Sequence, residues 1–154
     1  MTSRWRRGAA LALFVAGPLS IAAVPVLRRG TAYPFVASSR VPGYERGGML
    51  GRGGAYGVLF HTAQQRDPWI EIDLGELREV HAVEVENRLD CCGDRAIPLV
   101  LELAGDDHAF SEAARLEGPF QRATMRPVGS PQARYVRLRV EAVTMFHLAE
   151  VWVR

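Results

Sequence analysis

The sequence predicts an all-β domain, a sandwich or barrel, behind an N-terminal hydrophobic helix. Short apolar runs alternating at period two recur from Trp69 to the C-terminus. No stretch after residue 30 shows a convincing helical period, although residues 111–116 can hold one helical turn. Before that body, residues 8–27 are uncharged and mostly apolar, and about 20 such residues suffice for a helix to span a bilayer.

Taken in order, residues 1–29 read as a targeting segment, with Arg4, Arg6 and Arg7 before the apolar run and Arg28 and Arg29 after it. Pro18 and the small residues Ser20 and Ala22 suit a cleaved signal peptide, whereas the length and the bounding arginines suit an uncleaved anchor with its N-terminus inside. Either reading places the following domain outside the cytoplasm, anchored or secreted, with membrane contact through residues 8–27. Residues 30–57 are rich in Gly, Ser and Pro and read as a linker and early loops. Residues 58–154 hold the core of the domain, which begins near residue 35. The 154 residues suit one such domain plus a short appendage.

Within the core, Ile70, Ile72 and Leu74 share one face of a first strand, and residues 75–78 read as a turn. Val80, Ala82 or Val83, and Val85 continue a second strand to Asn87. Ile97, Leu99, Leu101 and Leu103 mark a third. Val136, Leu138 and Val140 alternate with Arg137 and Arg139 in a fourth, and residues 146–153 close the chain. If the first two strands form a hairpin, the loop before Trp69 and the loop after Asn87 share one end of the sandwich, which brings His61 near residues 88–95. Loops on one end of a rigid scaffold are a common place for a binding site.

All nineteen basic residues are arginine, and six of them precede the first acid, Glu45. Thirteen arginines then face seventeen acids, so the body is mildly acidic and a nucleic-acid partner is not expected. No nucleophile elbow, phosphate loop or isolated acid pair is present, and the chain reads as a non-enzyme.

The feature that stands out is Arg88-Leu89-Asp90-Cys91-Cys92-Gly93-Asp94-Arg95, which holds the only two cysteines. A bond between neighbours closes almost no loop, so it has little value as a staple. Linked, the pair is a stiff apolar patch beside charged donors. Unlinked thiols, a zinc site and a thiol–disulfide catalyst are the other readings, the last two disfavoured by the spacing. Arginine forks suit the neighbouring hydroxyls of a sugar ring as well as carboxylate or phosphate, and Asp90 is placed to lock one arginine rotamer. Taken singly, these charges read as a solvated surface cluster. His61 reads as a structural histidine, and His81, His108 and His147 keep that plainer reading.

Taken together, the residues resemble the F-type lectins, a fucose-binding group within the wider discoidin or factor 5/8 type C fold. The family motif is a histidine, a gap of about twenty-six residues, Arg-x-Asp, four residues, and Arg or Lys. Here His61, Arg88, Asp90 and Arg95 match it at that spacing. The adjacent cysteines are also a family feature. Flanking segments match too, including Phe60-His61-Thr62, Pro68-Trp69, Asn87-Arg88 and Arg134-Tyr135-Val136. The resemblance covers roughly residues 35–154.

It implies a jelly-roll β-sandwich, galactose-binding-domain-like, that binds fucosylated or related glycans without chemistry on them. His61, Arg88 and Arg95 would donate to sugar hydroxyls, a Cys91–Cys92 disulfide would pack against the ring, and Asp90 would support them. An adhesion module of the same fold, turned to a protein or cell-wall polymer, is the alternative. The family's structural calcium uses an early Asp-Gly-Asn-like loop and a late glutamate. Glu150 matches the late position, but residues 42–48 lack the Asp and Asn, so the donor set for calcium is incomplete and no other cofactor is implied.

Overall fold

The computed structural model describes residues 31–53 and 57–154. The N-terminal hydrophobic helix expected over residues 8–27 lies outside them. Among the described residues, no helix is long and apolar enough to cross a membrane.

The fold is all β. Among the described residues fourteen strands run in chain order: β1 Pro34–Ala37, β2 Gly47–Met49, β3 Gly51–Arg52, β4 Phe60–His61, β5 Gln65–Arg66, β6 Trp69–Glu79, β7 Val83–Glu86, β8 Leu99–Ala104, β9 Ser111–Leu116, β10 Arg122–Met125, β11 Gln132–Val140, β12 Val143–Thr144, β13 His147–Leu148 and β14 Glu150–Val153. Three of them fall in the segment read as linker and early loops. A six-stranded sheet has the order β2-β1-β6-β11-β8-β9 and a four-stranded sheet the order β10-β7-β14-β3. Two short pairs, β12 with β5 and β13 with β4, complete the sandwich.

Alternation explains the layers. Ile70, Ile72 and Leu74 of β6, Val136 and Leu138 of β11, and Leu99 and Leu101 of β8 point inward from the larger sheet. Val83, Val85, Val151 and Val153 point inward from the smaller one, and all belong to one buried cluster. The residues between them lie on the outer faces, as a sandwich requires, although Val100 and Ala104 of β8 are buried as well.

Three expectations are corrected. The first two core strands are not a hairpin: β6 pairs with β1 and β11, whereas β7 pairs with β10 and β14. The chain crosses between sheets around Val80, held by bonds from Val80 N to the Pro131 carbonyl and from His81 N to the Arg154 carbonyl. Residues 75–78 are not a turn but continue β6, past Gly75, whose φ of 82° breaks the burial alternation. The Asp73 carboxylate accepts the Gly75 N–H at 2.8 Å and fixes that kink. Residues 111–116 form an edge strand rather than a helical turn, since β9 pairs along β8 from Leu99↔Leu116 to Leu103↔Ser111.

Crossing between sheets nevertheless carries the loop after β7 to the end where β4 enters the sandwich. The route inferred for bringing His61 towards residues 88–95 is therefore not the one the chain takes.

Candidate functional site

Three groups of residues build this end. The first is the β4–β13 pair, whose register sets His61 opposite His147. It is fastened one residue on: Thr62 N donates to the Phe146 carbonyl at 2.9 Å, and Phe146 N donates to Thr62 Oγ1 at 2.8 Å. The His61 and His147 rings lie 5.1 Å apart, and Tyr44 from the β1–β2 loop covers the other side of His61 at 5.3 Å. His61 Nδ1 sits 2.9 Å from the Thr62 carbonyl. A carbonyl only accepts, so Nδ1 carries the hydrogen and Nε2 of the neutral ring is left as an acceptor.

The second piece is the loop after β7. Asn87 is buried and works as its fastener: Nδ2 donates to the Gly93 carbonyl at 2.8 Å, and Oδ1 accepts the Arg88 N–H at 2.9 Å. Gly93 suits this closure, because a Cβ there would stand 3.3 Å from the Asn87 amide nitrogen. Cys91 and Cys92 are adjacent and joined in a disulfide. Cys92 takes the left-handed conformation, φ 60° and ψ 28°. That conformation costs a non-glycine residue on the order of 1–2 kcal/mol and marks a segment held by its surroundings. A 3₁₀ turn, Gly93–Ala96, follows at once, seated by the fully buried Ala96 and by Arg95 N donating to the Cys92 carbonyl.

The third piece is the pair of guanidiniums that this loop carries. Arg88 Nε and Nη2 donate to both carboxylate oxygens of Asp90 at 2.7 and 2.6 Å. That bidentate bond raises the Arg88 pKa against the opposing pull of burial. It also holds the Asp90 carboxyl well below the usual carboxylate range. Asp90 thus fixes the Arg88 guanidinium through both of its carboxylate oxygens. Arg95 reaches across to the β12–β13 connection, where Nη1 contacts Met145 Sδ at 3.8 Å. A thioether is a weak acceptor, so most of the Arg95 fork stays available.

His147 is the residue whose place the sequence did not reveal. It is fully buried, and neither ring nitrogen has a hydrogen-bond partner. Burial above all, then the charges of His61, Arg88 and Arg95, push its pKa down to about 4. Only contacts made across the fold produce this environment, and no local pattern around Phe146 or Leu148 announces it.

A prediction arises here. The unfolded chain protonates His147 near pH 6.5, whereas the folded chain resists until about 4. Between those values the unfolded state binds more protons, so stability is lost as pH falls. The contribution is on the order of 3 kcal/mol. Urea titrations from pH 7 to pH 4 on the wild type and His147→Phe check it: the variant should show a much flatter pH dependence, and equal slopes would refute the assignment.

Glu150 lies elsewhere, on the outer face of the four-stranded sheet. Its carboxylate accepts from Trp152 Nε1 at 2.6 Å and from Arg52 Nη2 at 3.3 Å. Burial pushes its pKa up, but the indole N–H, the Arg52 charge and a contact with Glu86 outweigh that and leave it lowered. Among the described residues no group of three His, Cys, Asp or Glu gathers to hold a metal ion. With Arg52 as its counter-ion, Glu150 does not fit a calcium site.

These features define a galactose-binding-like β-sandwich with an arginine-bearing loop at one end. Residues 54–138 match the F5/F8 type C family described as the NedA-like, galactose-binding domain, and the chain belongs to that family. Fucolectin-1 of Anguilla japonica is 28% identical over 117 residues, covering 72% of this chain and 66% of that protein. The chain thus spans just under two thirds of that relative. The lectin binding domain of lectinolysin, solved as a histidine mutant with Lewis b, superposes at a TM-score of 0.61 with 25% identity, over 77% of this chain and 89% of that one. A fucose binding module of Streptococcus pneumoniae shares the fold at a TM-score of 0.63 and 22% identity, over 79% of this chain and 89% of that one. These homologues are lectins or carbohydrate-binding modules.

Proposed function

We propose that this chain is a non-catalytic lectin domain that holds a fucose-type sugar at the end of its sandwich. The observation that supports the reading is that His61, Arg88 and Arg95 all act on one buried ring, His147, while the pair Cys91–Cys92 lies between the two arginines in the same loop. A pyranose offers hydroxyls at its edge and C–H groups on one face. Two guanidiniums supply donors, His61 Nε2 supplies an acceptor, and the disulfide supplies an apolar, polarisable surface. Asp90, Asn87 and His147 touch no sugar in this scheme but hold the groups that do. The names borne by the relatives, a fucolectin and a lectin domain bound to Lewis b, favour fucose among the sugars such a site accepts. An oxidised Cys91–Cys92 accords with a domain placed outside the cytoplasm, anchored or secreted.

A single open site of this kind binds in the roughly micromolar-to-millimolar range, and several copies on one surface would multiply its avidity. A glycan array probed with the full chain tests the reading. Fucosylated glycans should be retained and then displaced by free L-fucose. Retention of no sugar would sink it and favour the adhesion alternative.

Reduction of Cys91–Cys92 gives a separate prediction. The bridge joins adjacent residues, so opening it frees almost no chain entropy and the melting temperature should move by no more than about 2 °C. Sugar affinity should fall several-fold as the apolar surface splits. Calorimetric titration with L-fucose, with and without reductant, measures both; unchanged affinity would remove the disulfide from the site.

A further inference from the structure

The outward face of the four-stranded sheet is laid out in rows that solubility alone does not require. The registers Arg122↔Glu86, Glu86↔Glu150 and Glu150↔Arg52 align four charged residues across all four strands. The next row sets Glu84 opposite Trp152. Two carboxylates directly opposite each other are unfavourable, and arginines cap both ends: Arg122 Nε donates to Glu86 at 3.1 Å, and Arg52 Nη2 to Glu150 at 3.3 Å.

The indole of Trp152 is fixed by its 2.6 Å bond to Glu150. It lies over Gly51 on the edge strand, where a Cβ would approach within 3.6 Å. Around it is an open cavity of about 510 Å³, lined by Arg52, Glu84, Glu86, Arg122 and Trp152 among others. A second groove, of about 610 Å³, shares Glu86 and Arg122 with the first and runs past Phe120 to Leu89. Leu89 is 71% exposed and stands between Arg88 and Asp90 in the loop of the end site. The two grooves therefore adjoin one another between that loop and Trp152.

We infer that these adjoining grooves form a second sugar-binding subsite, which takes neutral hexopyranose residues further along a glycan whose fucose sits at the loop end. The direction of the chain rests on the reading in the previous section; the sheet-face groove does not. Three arginines and three glutamates line the cavity, so an ionic ligand finds no net attraction there. A neutral polyol uses both signs, since its hydroxyls accept from guanidinium and donate to carboxylate. Arg52 and Arg122, with side chains 71% and 74% exposed, each spend one nitrogen on their ion pair and turn most of the fork to solvent. The pinned indole gives the C–H face of a ring a flat surface that is already ordered, so little entropy is lost on binding.

The test is calorimetric titration of the full chain, Trp152→Ala and Trp152→Phe with three ligands: L-fucose, a neutral fucose-terminated tetrasaccharide, and the same oligosaccharide without its fucose. The wild type should bind the tetrasaccharide about tenfold more tightly than L-fucose. Trp152→Ala should erase that difference and leave the L-fucose affinity unchanged, which also shows that the variant is folded. Trp152→Phe, which keeps a ring, should retain part of the gain. Equal affinities for L-fucose and the tetrasaccharide, or a ratio that survives Trp152→Ala, would overturn the subsite. Binding that ignores fucose yet depends on Trp152 would overturn the loop-end reading and leave the sheet-face site standing, and binding to none of the three would overturn both.

Discussion

Arg88→Ala and Arg95→Ala are each expected to weaken L-fucose binding by about 10- to 150-fold, and the double variant to remove it from the measurable range. A hydrogen bond from a charged donor contributes about 1.5–3 kcal/mol, and each 1.4 kcal/mol is a factor of ten. The two variants differ in what they leave behind. Arg88→Ala also releases Asp90 from a bidentate pair, but the Asp90 side chain is 64% exposed and is readily hydrated. Arg95→Ala gives up only a weak contact with Met145. Neither should unfold the domain, and a melting curve alongside each titration verifies that. Arg88→Lys should recover little, because an ammonium keeps the charge but not the planar fork. Wild-type affinity in both alanine variants would refute the site.

Phe146→Ala is expected to give the largest loss of stability, about 3–5 kcal/mol. Phe146 is completely buried, and its ring meets that of Phe60 edge-on at 4.9 Å. Phe60 in turn touches Phe35 at 6.0 Å. Truncation opens a cavity where β1, β4 and the chain entering β13 converge, at a place too well packed to collapse around it. The melting temperature should drop by roughly 10–15 °C. Because Phe146 is bonded to Thr62, one residue from both His61 and His147, sugar binding should weaken as well. A loss below about 1 kcal/mol in urea denaturation would mean that this junction contributes little to the core.

The site lies in two parts of the chain, and they were legible to different degrees. The segment from Arg88 to Arg95 is continuous, and its composition marks it without any fold: two forks, a carboxylate within reach of the first, and paired sulfurs. Asp90 locks Arg88 through a contact only two residues long, so local chemistry suffices to foresee it. His61 was placed by motif spacing, and its expected neighbourhood was reached through a hairpin that does not exist. Alternation shows which side chains face the core but not whether neighbouring strands share a sheet or face each other across it. Val80 is buried in either arrangement. The β6–β7 crossing was therefore invisible, although the two arrangements bring the same loops to one end.

His147, Tyr44 and Met145 had no local signal at all. Each is drawn in by pairing or packing over long sequence separations, and a lone histidine in an apolar strand looks the same whether it lies against a site or far from one. The calcium question turned on the same kind of fact. Glu150 fits the late motif position, but Arg52, ninety-eight residues away, is its counter-ion.

By itself the sequence determined the β class, the inward-facing residues of the main strands, and the identity of the charged loop with its vicinal cysteines. All of these depend on short-range periodicity or on groups adjacent in the chain. Only the tertiary structure decided which strands share a sheet, which rings, those of Tyr44 and His147, stand against His61, and that six charged residues and an indole line one groove. Those depend on register, and register is set by packing the whole core, because the free energy that selects it belongs to buried area summed over both sheets rather than to any one segment.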